Sequence, residues 1–138
     1  MRVILDTNLF VSALLTGGTP PQELCEHWRQ GRFALVSCEP QLKELRAMLG
    51  RPFFQARIKR SQAGSMVNDI RRLALMYDPI PAPEVSTDPR DDYLLALVEV
   101  SRADFLVTGD KGHLLRLGHH GSARILTARD LVALLGGT

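Results

Sequence analysis

Apolar and polar positions alternate along the chain in short blocks. Val3-Ile4-Leu5 is an apolar run closed by Asp6-Thr7-Asn8, and two of its three residues are β-branched, which predicts a buried strand. Thr7 and Asn8 are good N-cap residues, so a short helix through Leu9, Phe10, Ala13 and Leu14 is expected. Thr16-Gly17-Gly18-Thr19 reads as a loop. Pro20-Pro21 opens a second helix, which runs to Gln30 and stops at Gly31. Phe33 to Ser37 is a second strand. Leu42, Leu45 and Leu49 then recur at helical spacing, with Pro40 in the first turn and Gly50 at the end. Arg51-Pro52 breaks that helix, and a short one is expected around 53–58. Ser61 is placed as the cap of a longer helix whose stripe is Met66, Ile70, Leu73, Ala74 and Tyr77.

Pro79, Pro81 and Pro83 rule out a central strand in that stretch, leaving a short edge strand at most. Ser86 to Asp92 is a loop and helix start. Tyr93 to Ser101 is almost all apolar, as in a helix buried on every side. Phe105 to Thr108 is a strand ended by Gly109-Asp110, Leu114 and Leu115 belong to a short helix, and His119 to Ser122 is read as a loop. Arg124 to Leu126 is the last strand, and Thr127 caps a final helix to Leu135. Strands alternating with helices predict an α/β fold: a three-layer, Rossmann-like arrangement with a parallel sheet of about five strands between helices. No repeat, low-complexity tract or linker interrupts it, so residues 1–138 are read as a single domain.

Composition narrows this picture only slightly. The 45% apolar content is that of a globular domain. A net charge of +2 does not by itself indicate nucleic acid, but Arg57, Lys59 and Arg60 are clustered, with Arg71 and Arg72 on the following helix. Such a run is either a solvated face or a phosphate-contacting surface. Two cysteines, Cys25 and Cys38, are too few for a disulfide scaffold and are expected to be reduced and packed, which fits a cytoplasmic protein. Asp6 interrupts the first apolar run, so it does not read as a signal peptide, and no run reaches the roughly 20 residues of a membrane span.

The chemistry lies in the acids. Ligands of open parallel sheets bind beyond the carboxyl ends of the strands, where strand order reverses. Asp6 ends the first strand and Asp110 the fourth; if these strands are neighbours, the two carboxylates meet. Asp92 opens a helix, where the helix dipole favours an anion. Glu44 stands at the margin of an apolar stripe, one residue before Leu45. Each alone has an ordinary alternative, as a turn residue, a helix cap or a solvated charge. Together they would repel one another unless a cation compensates, and hard oxygen donors select Mg²⁺ or Mn²⁺. Such an ion activates water and stabilises charge on a scissile phosphate.

Four segments carry a resemblance to a known family: Val3 to Ala13, Leu42-Lys43-Glu44-Leu45, Asp88 to Leu97, and Phe105 to Lys111. In this order they resemble a PIN-domain protein, of the branch related to the VapC-type toxins of toxin–antitoxin systems. The resemblance implies a metal-dependent endoribonuclease that cleaves single-stranded RNA. It implies that Asp6, Glu44, Asp92 and Asp110 are the catalytic acids and hold Mg²⁺ or Mn²⁺. Asn8 and Thr108 would support them, Asp91 is the alternative to Asp92, and Arg57, Lys59 and Arg60 are candidates for RNA contact. A small antitoxin protein and a homodimer are the implied protein partners.

Other features carry less. His27, His113, His119 and His120 lack metal-ligand spacing, and Trp28 is read as packing. Leu9, Phe10, Leu14 and Leu15 spread around the first helix; core is the default, with a dimer interface or antitoxin groove as the alternative. A phosphatase of the haloacid-dehalogenase type would want a second acid where Asn8 stands. A receiver-like module would want paired acids at the first strand end and an acceptor Asp after a central strand. A PIN fold that binds RNA without cutting it is the third alternative.

Overall fold

The computed structural model describes residues 1–78, 89–109 and 114–136, without the side chains of residues 89–92. The described elements are β1 (Arg2–Leu5), α1 (Thr7–Leu15), α2 (Pro20–Arg29), β2 (Ala34–Ser37), α3 (Glu39–Leu49), α4 (Pro52–Gln55) and α5 (Arg60–Leu73). They continue with β3 (Leu75–Met76), α6 (Pro89–Ser101), β4 (Phe105–Val107), α7 (Leu114–Leu117), β5 (His119–His120), β6 (Ala123–Leu126) and α8 (Ala128–Leu134). The six strands form one sheet in the order β3-β2-β1-β4-β6-β5, and every pairing is parallel except β5 with β6.

Strand geometry explains the three layers. Successive side chains of a strand point to opposite faces. Val3 and Leu5 therefore join Leu35, Val107 and Leu126 in one core, packed against α1, α2, α3, α5 and α8. Ile4 turns the other way and joins Val36, Leu106 and Ile125 under Leu94, Leu95, Leu97 and Val98 of α6 and Leu114 of α7. The stretch Leu94 to Val98 is buried on all sides, as its unbroken apolar sequence requires. Trp28, Leu9 and Phe10 lie in the first core, Leu14 packs at its margin and Leu15 is exposed.

Four expectations need correction. Asp6, not Thr7 or Asn8, takes the N-cap position of α1, and its side chain closes no capping bond; Thr7 is buried inside the first turn. Lys59 stands at the N-cap of α5 instead of Ser61. The helix also ends earlier than its stripe suggested. Ala74 turns to extended backbone (ψ 155°), and Leu75-Met76 pairs with the open edge of β2. Tyr77 then donates its N–H to the Ser37 carbonyl and packs in the second core, a face that a continued helix with Met66 and Ile70 in the first core would not reach. Finally, His119-His120 is a strand: Gly121 at φ 55° permits a two-residue hairpin loop, and Gly121-Ser122 connects it to β6. Among the described residues the sheet thus has six strands with one antiparallel edge, in the expected three-layer arrangement. The proline-rich stretch expected at the edge, 79–83, lies outside the described residues. Thr127 does cap α8, accepting from the Asp130 N–H at 3.2 Å.

Candidate active site

The chain leaves β1 and returns at β4 as its neighbour, so strand order reverses between them. Leu5 is in register with Val107, and the ladder continues one step further, with the Asp6 N–H donating to the Val107 carbonyl at 2.8 Å. Asp6 thus stands at the carboxyl end of the central strand, at the crevice where such sheets bind ligands. Thr108, fully buried, is fixed from the other side by its own N–H on the Leu126 carbonyl (3.1 Å) and donates its hydroxyl to Asp6 Oδ2 at 2.8 Å.

Asp6 is held as an acid more strongly than an exposed aspartate. Burial pushes its pKa up; the Thr108 hydroxyl and the amides of Asn8 and Thr7 oppose this, and the negative charge of Glu44 adds to it. Glu44 is therefore close enough to interact with Asp6 although their elements are distant in sequence. Among the described residues no Lys or Arg forms an ion pair with either carboxylate.

Glu44 is half-buried on α3. Its Oε1 accepts the Tyr93 hydroxyl at 2.7 Å, and the same Tyr93 oxygen lies 3.1 Å from Thr7 Oγ1. Gln41, three residues before Glu44 and fully buried, completes the group. Its Nε2 donates to the Leu5 carbonyl at 2.6 Å and, more weakly, to Thr7 Oγ1 at 3.4 Å, while its Oε1 accepts the Ser37 hydroxyl at 2.6 Å. Gln41 thereby ties α3 to the ends of β1 and β2. These polar residues were not singled out from the sequence. The available signal was spacing, since Ser37, Gln41 and Glu44 fall at intervals of four and three along the approach to and the face of α3.

The described residues bring together Asp6, Glu44 and Thr108 of the expected set. Asn8 has an exposed side chain, and it is its backbone amide that faces Asp6. The side chains of Asp91 and Asp92 and the whole of Asp110 lie outside the described residues, and among those described no group of three or more His, Cys, Asp or Glu converges. Asp92 immediately precedes Tyr93, and Asp110 follows Thr108 by two residues. Arg57, Lys59 and Arg60 are exposed at the α4–α5 junction; the Arg57 guanidinium lies 3.7 Å from the Phe53 ring centre and donates to the Phe53 carbonyl.

A family model described as the PIN domain matches residues 2–112 of the 138, the span from β1 past the Asp6–Thr108 contact. No curated protein matches the chain. The match covers most of the sequence and the whole switch-point crevice, and the chain belongs to the PIN-domain family, whose members are typically nucleases that bind divalent metals such as Mg²⁺.

Proposed function

We propose that the chain is a Mg²⁺- or Mn²⁺-dependent endoribonuclease that cleaves single-stranded RNA, with Asp6, Glu44, Asp92 and Asp110 as its catalytic and metal-holding acids. The observation that carries this is the convergence of Asp6 and Glu44 at the β1/β4 switch point with no cationic side chain paired to either among the described residues. A half-buried, repelling pair of carboxylates is unfavourable unless a cation joins them. Their donors are hard oxygens, which fits Mg²⁺ or Mn²⁺ and no softer ion.

When bound, the ion would supply an activated water and stabilise charge on the scissile phosphate. The chain's own residues do the rest. Asp6 and Glu44 would hold the ion, with Thr108 and the Asn8 and Thr7 amides orienting the Asp6 carboxylate. Asp92 or its neighbour Asp91, and Asp110, would complete the set. Water attacking phosphorus in line would break the P–O3′ bond, and with a proton passing to the leaving oxygen the products would be a 5′-phosphate and a 3′-hydroxyl. Arg57, Lys59 and Arg60 would contact the RNA backbone, a sequence-independent attraction that weakens with salt.

The resemblance of the four motifs to VapC-type toxins supports a toxin paired with a small antitoxin, acting as a homodimer. Two free, buried cysteines support a cytoplasmic setting, and among the described residues no helix is long and apolar enough to cross a membrane. The test is cleavage of single-stranded RNA with Mn²⁺ by the wild type and by Asp6→Asn. The wild type should cut, chelator should stop it, and the variant should be inactive. Cleavage by Asp6→Asn at the wild-type rate would remove the site assignment.

A further inference from the structure

Glu44 is a poor candidate for a precisely placed ligand on its own, because it is a long side chain on a half-buried helix face. The hydrogen bonds around it have a fixed direction, however. An ionised carboxylate only accepts, so the Tyr93 proton goes to Glu44 Oε1 (2.7 Å). Tyr93 has one proton, so its contact with Thr7 (3.1 Å) must be donated by the Thr7 hydroxyl. Thr7 Oγ1 is then left as an acceptor, and Gln41 Nε2 faces it at 3.4 Å. The amide of Gln41 cannot flip without setting its oxygen against the Leu5 carbonyl oxygen, two acceptors face to face; as it stands it donates to that carbonyl and accepts the Ser37 hydroxyl, at 2.6 Å each. One chain of donors therefore runs Gln41 to Thr7 to Tyr93 to Glu44, anchored at the ends of β1 and β2.

We infer that Tyr93, backed by Thr7 and Gln41, is a positioning residue that holds the Glu44 carboxylate in the orientation required to bind a divalent cation. This rests on the reading of Glu44 as a cation ligand. Tyr93 engages one oxygen of Glu44 and through Thr7 ties it to the residue next to Asp6. The phenol is also the link between layers: α6 lies on the second core and α3 on the first, and the Tyr93–Glu44 bond joins them past the end of β1. Its ring packs beside the second core, so Tyr93→Phe removes the hydroxyl while keeping the ring.

The experiment is Mn²⁺ titration by electron paramagnetic resonance, well below the melting temperature, on the wild type, Tyr93→Phe, Thr7→Val, Glu44→Gln and the Tyr93→Phe/Glu44→Gln pair. Wild-type binding that is lost in Asp6→Asn establishes the underlying site. On that footing, Tyr93→Phe should weaken Mn²⁺ about 10-fold, the scale on which groups that orient metal ligands act, and Thr7→Val should weaken it by less. Adding Tyr93→Phe to Glu44→Gln should cost nothing further, because the tyrosine acts through the glutamate. A purely structural tyrosine would lower the melting temperature of the metal-free protein and leave Mn²⁺ affinity unchanged. That result, or a full additional loss in the double variant, would overturn the inference while leaving the nuclease reading intact. A wild type that binds no Mn²⁺ would overturn both.

Discussion

Gln41→Leu tests how the crevice is held together, because it keeps side-chain size and removes the amide. Gln41 is fully buried and serves the Ser37 hydroxyl and the Leu5 carbonyl, both on fully buried residues and both at 2.6 Å. A buried polar group left without its partner costs about 1–3 kcal/mol. Two such groups, less the gain from burying leucine in place of an amide, give a net loss of roughly 2–4 kcal/mol. For a chain of 138 residues, an unfolding entropy of about 2.1 cal/mol/K per residue makes 1 kcal/mol equal to roughly 3.5 °C. The melting temperature should therefore fall by roughly 7–14 °C. Urea unfolding followed by the fluorescence of Trp28, the sole tryptophan and nearly buried, measures the free energy directly.

The decisive comparison is the double variant Ser37→Ala/Gln41→Leu. Removing both partners of a buried hydrogen bond leaves less unsatisfied than removing one. The pair should lose at least about 1 kcal/mol less than the sum of its members. Lys43→Ala, exposed on the same helix, should stay within about 0.5 kcal/mol of the wild type. A Gln41→Leu protein as stable as Lys43→Ala, or strict additivity in the double variant, would refute the reasoning.

Three further outcomes follow from the same structure. The folded-state pKa of Asp6 lies above the ordinary 3.8 of a free aspartate, mainly through burial, so the protonated side chain favours folding: its contribution is fully present below pH 3.8 and lost as pH rises through the folded value. In metal-free protein at pH 7.5, Asp6→Asn should thus melt above the wild type, with the gap closing toward pH 4; a variant that melts lower contradicts the assigned cause. Cys25 and Cys38 are both buried and both pushed up to about 11, so at pH 8 the thiolate fraction is on the order of 10⁻³; a colorimetric thiol reagent should label native protein far more slowly than protein in denaturant. Equal labelling rates would show these thiols accessible in the native state. Arg102 ends α6 at φ 54°, donating its N–H to the Val98 carbonyl, and is exposed, so Arg102→Gly should raise stability by about 0.5–1 kcal/mol in the urea assay, and a loss would show that the arginine side chain contributes more than its strained backbone costs.

The sequence foretold the elements whose signal is local and missed those that depend on a partner. Val3-Ile4-Leu5, short and rich in β-branched residues, reads as a strand with both faces buried, and the acid that closes it marked the crevice, because chain order and the reversal at β1/β4 place the end of β1 against the end of β4. Leu75-Met76 was missed because Leu73 to Tyr77 is apolar throughout, and only the free edge of β2 decides that it extends. The His119-His120 hairpin carried a readable cue in Gly121-Ser122, but two residues are too few to show alternation. The site shows the same division. Carboxylates advertise themselves at strand ends, whereas Tyr93, Thr7 and Gln41 look like an aromatic, a cap residue and a helix polar until three elements assemble. What selects Gln41 is a carbonyl 36 residues away that would otherwise face the core unpaired. Such a residue is visible only from the fold, and for that reason the hydroxyl of Tyr93 is the sharper probe of how this crevice works than any of its acids.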